Sequence, residues 1–196
     1  MTVAVQKLTF EEYLKYEDGT DTRYELVNGE LVPMSVGHIL HAAIIEFLGD
    51  QFKAAIANVK QPNRIYSGTI GVRSPRGNRR NTSRIPDITM LSLVQAQSMK
   101  ARGAAVIDIE EPPPLLVVEV VSPSTQSDDY QDKQWEYKFL EIPEYWIVDP
   151  IDRKITICSL ESGNYRLSEF VEEQVIESPT FPELTLSAAQ VLSGEL

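Results

Sequence analysis

Leu115-Leu116-Val117-Val118-Glu119-Val120-Val121-Ser122-Pro123-Ser124-Thr125 sets one glutamate in the middle of an apolar run. The run lies between Pro112-Pro113-Pro114 and Ser-Pro-Ser, so it has the length and punctuation of a buried strand. Alternation puts Leu115, Val117, Glu119 and Val121 on one face and Leu116, Val118 and Val120 on the other. An ionised carboxylate is costly there unless it is paired, coordinated or hydrogen-bonded. Glu119 therefore needs a partner, and its surroundings point towards metal-dependent chemistry.

Working outward, the spacing predicts a second buried strand at Tyr145–Val148, closed by Asp149-Pro150, and further strands near Ile155–Cys158 and Tyr165–Val171. Upstream, Leu40, Ile44, Phe47, Leu48, Phe52 and Ile56 recur at helical spacing, which predicts one amphipathic helix from Ile39 to about Val59. Asn28-Gly29 between two apolar runs predicts a hairpin, because both turn positions need positive φ. Thr9 and Glu12 form a capping box for a short helix that is expected to end at Asp18-Gly19. Short strands are expected at Ile65–Tyr66, Thr69–Arg73 and Ile85–Leu91, a helix over Ser127–Glu141 and a last helix from about Ser187. Ser92–Pro114 carries no decisive pattern.

The expected fold is α/β (α+β): one domain over residues 1–196, with a mixed central β-sheet flanked by helices and an N-terminal helix and hairpin. At 196 residues the chain can bury a substantial core. No apolar stretch approaches the roughly 20 residues of a membrane span. Met1–Tyr13 lacks the pattern of a signal peptide, and the lone Cys158 forms no intrachain disulfide. The expectation is a cytoplasmic protein.

A net charge of −11 argues against indiscriminate binding to nucleic acid, which depends on neutralising phosphates. The charge is uneven, however. Arg73, Arg76, Arg79, Arg80 and Arg84 lie together with no acid among them. They read either as a solvated loop or as a phosphate-contacting patch.

Asp87 follows Pro86 at the start of an expected strand, and Glu119 lies within the next strong one. If those strands are neighbours, the carboxylates meet at one end of the sheet, where Mg²⁺ would find hard oxygen donors. Asp129, Lys133 and Tyr137 follow at spacing four and share a helix face. Asp129–Lys133 reads either as a surface ion pair or as a lysine directed at Glu119, where it would orient a water or stabilise charge on a phosphoryl group.

Ile85-Pro86-Asp87, Glu119-Val120-Val121-Ser122-Pro123-Ser124-Thr125, Asp129, Lys133 and Ile142-Pro143-Glu144-Tyr145-Trp146-Ile147-Val148-Asp149-Pro150 together resemble the Uma-two family. That family carries the label "putative restriction endonuclease" and belongs to the PD-(D/E)xK nuclease superfamily. The resemblance runs from Tyr24-Glu25-Leu26 to Phe181-Pro182-Glu183-Leu184. It implies a restriction-endonuclease-like core that cleaves DNA with Mg²⁺, or Mn²⁺ in its place. It further implies Asp87, Glu119 and the Val120 carbonyl as metal ligands, with Glu25 as a further acidic candidate. The superfamily places a lysine two residues after the glutamate. Val121 stands there, and the resemblance assigns that role to Lys133 on the following helix. Glu141 stands where relatives often carry glycine, a difference that bears on the helix end more than on the chemistry.

His38 and His41 lack the further ligands of a zinc site and read as helix-surface residues, with His41 a general base if its helix borders the cleft. Trp135 and Phe139, four apart, read as core packing rather than a base-stacking platform. The leading expectation is a metal-dependent DNA endonuclease acting as a homodimer. The alternative is a nuclease-fold protein that binds nucleic acid or a protein without cutting. A two-carboxylate glycosidase ranks third, because no aromatic residue flanks Asp87 or Glu119 closely.

Overall fold

The computed structural model describes residues 7–34, 37–59, 62–76, 79–123 and 125–195. Its first helix, α1 (Phe10–Tyr13), starts on the predicted Thr9–Glu12 capping box, but it is one turn long and ends at Leu14, ahead of Asp18-Gly19. β1 (Tyr24–Val27) and β2 (Glu30–Pro33) form the hairpin, with Tyr24 opposite Pro33 and positive φ at Asn28 and Gly29. The long helix α2 spans Ile39–Val59, as its apolar spacing requires.

β3 (Asn63–Ser67) leads to β4 (Gly71–Arg76) and β5 (Arg79–Arg84), which pair antiparallel. The arginine-rich stretch is thus mostly strand instead of a solvated loop. β6 (Ile88–Ser92) follows Pro86-Asp87. The segment that carried no decisive pattern holds α3 (Leu93–Arg102) and β7 (Val106–Ile107). Its signals were local: the Ser92 side chain caps by accepting from Gln95 N–H, and Gly103 closes the helix in the left-handed conformation.

β8 (Leu116–Val120) is the strand that carries Glu119, and all its residues are buried. Beyond it, Asp128–Lys133 winds as π-helix and passes directly into α4 (Gln134–Phe139). β9 (Glu144–Asp149), β10 (Lys154–Glu161), β11 (Asn164–Val171) and α5 (Ala188–Ser193) complete the described chain. No helix among the described residues is long and apolar enough to cross a membrane.

The strands form two mixed sheets where one central sheet was expected. One runs β2-β1-β5-β4-β7 and the other β11-β10-β9-β8-β6-β3. The larger sheet is apolar on both faces. Leu116, Val118 and Val120 point into a core with Ile44, Leu48 and Phe52 of α2 and with Trp146 and Val148. Val117 and Val121 point the other way, into a cluster with Val72 of β4, Met99 of α3 and Tyr137 of α4. Glu119 shares this second face, so the strand's alternation aims its carboxylate at the Asp128–Phe139 helix.

Candidate active site

β6 and β8 pair antiparallel, with Ile88 opposite Val118 and Thr89 opposite Val117. One further step of that register sets Asp87 across from Glu119. At this point a side chain extends the ladder: Asp87 Oδ2 accepts from Val120 N–H at 2.7 Å. The two carboxylates therefore flank a single peptide unit at the end of the sheet.

Glu119 is 4% exposed and both of its oxygens are engaged. Tyr137 donates its hydroxyl to Oε1 at 2.6 Å, and Lys133 Nζ lies 2.8 Å from Oε2. The same ammonium lies 2.7 Å from Asp129 Oδ1. Lys133 thus bridges two buried carboxylates, and the Asp129–Lys133 pair is interior, not a surface ion pair. Among the described residues, the close polar contact of the Asp129 carboxylate is the Lys133 ammonium, with no other donor in good hydrogen-bond geometry.

The electrostatics follow from burial and crowding. Burial pushes Glu119 up to about 8; Lys133 opposes the rise, while Asp87, Asp129 and Glu25 add to it. Burial acts to lower the Lys133 ammonium, but Glu119 and Asp129 outweigh it and hold Lys133 above its ordinary value. Burial also raises the Tyr137 phenol well above its usual range, so it remains a hydrogen-bond donor.

His41 reaches the site. From α2, its Nε2 approaches Asp87 Oδ2 at 3.4 Å. The Asp87 hydrogen bond raises the imidazole, working against burial, which lowers it. The surface-residue reading of His41 gives way to one in which it faces the more open carboxylate. Asp87 and His41 retain side-chain exposures of 16% and 22%, against 5% and 6% for Glu119 and Lys133, so the approach from solvent is on their side.

Glu25, on β1, adds its negative charge to this cluster. Its Oε1 accepts from Ile85 N–H at 2.8 Å and its Oε2 from Arg84 Nη1 at 3.2 Å. Arg84 departs from the expected phosphate-contacting patch: it is 1% exposed, and its guanidinium is bound by carboxylates. Arg73 pairs with Asp108 at 3.1 Å and stacks over the Phe10 ring at 4.0 Å. The side chains of Arg76, Arg79 and Arg80 lie outside the described residues. Trp135 and Phe139, expected in the core, are 41% and 55% exposed and stack on each other at 5.5 Å.

Among the described residues, no three or more His, Cys, Asp or Glu side chains converge as a ready-made metal cage. What is present is a pair of carboxylates about one peptide, a donor set of hard oxygens with one member partly open to water. That composition fits a hard divalent ion that keeps several of its waters. It does not fit a closed structural zinc centre.

Sequence reasoning placed Asp87, Glu119 and Lys133 together but gave no role to Tyr137, although its spacing from Lys133 was the available signal. The π-helical turn, a feature common at functional sites, left no signal at all.

A family model described as "putative restriction endonuclease", Uma2, matches residues 10–189. Among solved structures, the chain is similar to a putative nuclease belonging to DUF820 from Anabaena variabilis ATCC 29413. The TM-score is 0.75 at 18% sequence identity, over 96% of this chain and 99% of that one, which establishes a shared fold. No curated protein matches the chain.

Proposed function

Because this chain belongs to the Uma2 family, we propose that it is a Mg²⁺-dependent endonuclease, with Mn²⁺ able to substitute, that hydrolyses phosphodiester bonds of DNA. The observation that carries this reading is the antiparallel β6–β8 register, which sets Asp87 across from Glu119 while Lys133 lies 2.8 Å from the glutamate. Asp87, Glu119 and the Val120 carbonyl would hold the ion. When bound, it would supply an activated water and neutralise charge on the scissile phosphate.

The residues of this chain do the rest. Lys133 keeps a full positive charge beside Glu119, and it would orient the attacking water or offset charge developing on the phosphoryl oxygens. Tyr137 and Lys133 fix the Glu119 carboxylate from two sides, which pre-orients it. His41, on the solvent side of Asp87, is placed to accept or return a proton at its Nε2. Glu25, whose oxygens accept from Arg84 and Ile85, adds negative charge beside Glu119 and is the further acidic candidate for the ion or one of its waters. Cleavage of both strands would require two active sites, so a homodimer is the proposed assembly.

The second reading, a nuclease-fold protein that binds without cutting, is favoured by one observation. Lys133 is enclosed by Glu119 and Asp129 at 5% exposure, leaving it little access to a phosphate. Calorimetric titration of Mn²⁺ into the intact chain, Asp87→Ala and Glu119→Ala, with plasmid nicking measured in parallel, separates the two. Binding and nicking lost in both variants support the nuclease. Binding without nicking by the intact chain supports the second reading, and binding unchanged in Glu119→Ala removes the first.

A further inference from the structure

Arg84 forms a fork on Glu136. Its Nε donates to Glu136 Oε2 at 3.0 Å and its Nη2 to Oε1 at 3.1 Å. Ser74 Oγ donates to the same Oε2 at 2.9 Å, and Arg84 Nη1 turns to Glu25 Oε2 at 3.2 Å. Asp128 Oδ2 lies 3.8 Å from that Nη1. Arg84 and Glu136 are 1% and 0% exposed. The cluster joins β1, β4 and β5 to α4 through residues that are far apart in sequence.

Its place in the chain gives it significance. Arg84 stands three residues before Asp87, and Glu136 three after Lys133 and one before Tyr137. The fork therefore connects the two arms of the candidate site, the sheet end with Asp87 and the helix with Lys133 and Tyr137. A buried ion pair is a poor source of stability compared with apolar residues of the same volume. A planar two-point contact does supply geometry: it restricts both the rotation and the axial position of the helix that carries the carboxylate. A slip of one residue along an α-helix would shift Lys133 by about 1.5 Å and turn it by about 100°.

We propose that Arg84 and Glu136 are positioning residues that hold Lys133 and Tyr137 against Glu119. This rests on reading Asp87, Glu119 and Lys133 as one site, but its test does not depend on catalysis. The fork acts locally, so weakening it releases Lys133 while the rest of the fold stays closed.

The test compares acetylation of lysines by acetic anhydride, quantified by mass spectrometry, in the intact chain, Arg84→Lys and Glu136→Gln. Exposed Lys53 serves as internal reference and far-UV circular dichroism as a check on folding; Mn²⁺ titrations accompany each. The expected result is a rise of about ten-fold in Lys133 labelling relative to Lys53, as for the opening of one local unit, with the dichroism spectrum unchanged and Mn²⁺ affinity weakened. If Arg84→Lys fails to fold, Ser74→Ala removes a single donor from Glu136 and is judged by the same criterion. Lys133 as protected in the folded variants as in the intact chain would overturn the proposal, as would its release only together with general loss of structure. Release of Lys133 in a protein that binds no Mn²⁺ even when intact would uphold the positioning role and remove the nuclease reading instead.

Discussion

The Asp128–Phe139 segment has two faces, and they invert the usual arrangement of a helix on a sheet. Asp129, Lys133, Glu136 and Tyr137 are buried, whereas Trp135 and Phe139 stand 41% and 55% exposed. Both sets recur at spacing four or close to it, so periodicity alone cannot say which faces inward. The partner decides. β8 presents a carboxylate and β5 a guanidinium to this helix, and only the charged face can satisfy them. A helix that buries Asp129, Lys133 and Glu136 while exposing Trp135 and Phe139 is oriented by its electrostatic partners as well as by the packing of Tyr137.

The largest test of that contrast removes the charge at its centre. Lys133→Met leaves Glu119 and Asp129 buried without their ammonium, and the expected loss is about 3–5 kcal/mol by urea denaturation. A loss no larger than that of a surface substitution would mean the cluster is wet.

The next test is pH. Glu119, held at about 8 by burial, binds its proton more tightly folded than unfolded. Its contribution is therefore fully present below the ordinary carboxylate value and is lost as pH rises to about 8. Glu119→Gln removes this dependence. The stability difference between the intact chain and the variant should shift against the intact chain by roughly a few kcal/mol across that interval. Parallel pH curves would contradict the burial argument.

A smaller effect is expected where the helix ends. Glu141 adopts φ +57, a conformation that costs a side chain about 1–2 kcal/mol. Glu141→Gly should therefore stabilise by about 1 kcal/mol, read as a rise in the melting temperature with the Mn²⁺ affinity unchanged. At the other extreme, Phe139→Ser on the exposed face should change stability by about 0.5 kcal/mol or less. A larger cost would show that the aromatic pair is a structural contact and would weaken the contrast between the two faces.

Local features of the sequence determined local structure well. Asn28-Gly29 specifies its hairpin because few residues accept positive φ, and the apolar spacing from Ile39 to Val59 specifies a helix with those bounds. Leu116–Val120 forms the strand, and its alternation places Glu119 with Val117 and Val121 as expected, whereas Leu115, expected on that face, precedes the strand and packs against the opposite core. Strand placement and helix spacing brought Asp87, Glu119 and Lys133 into one hypothesis, and the family resemblance then suggested their roles.

Tertiary structure alone decided what those residues touch. Strand alternation gives each side chain a face but does not select the neighbouring strand, so the β6–β8 pairing that sets Asp87 across from Glu119 could only be conditional. Arg84 and Glu136 are 52 residues apart, and Asp87 and Val120 are 33 apart. No local rule turns an arginine in a basic stretch into an interior clamp. That outcome depends on where the chain closes, because a charge becomes tolerable in the interior only when a distant opposite charge is folded against it.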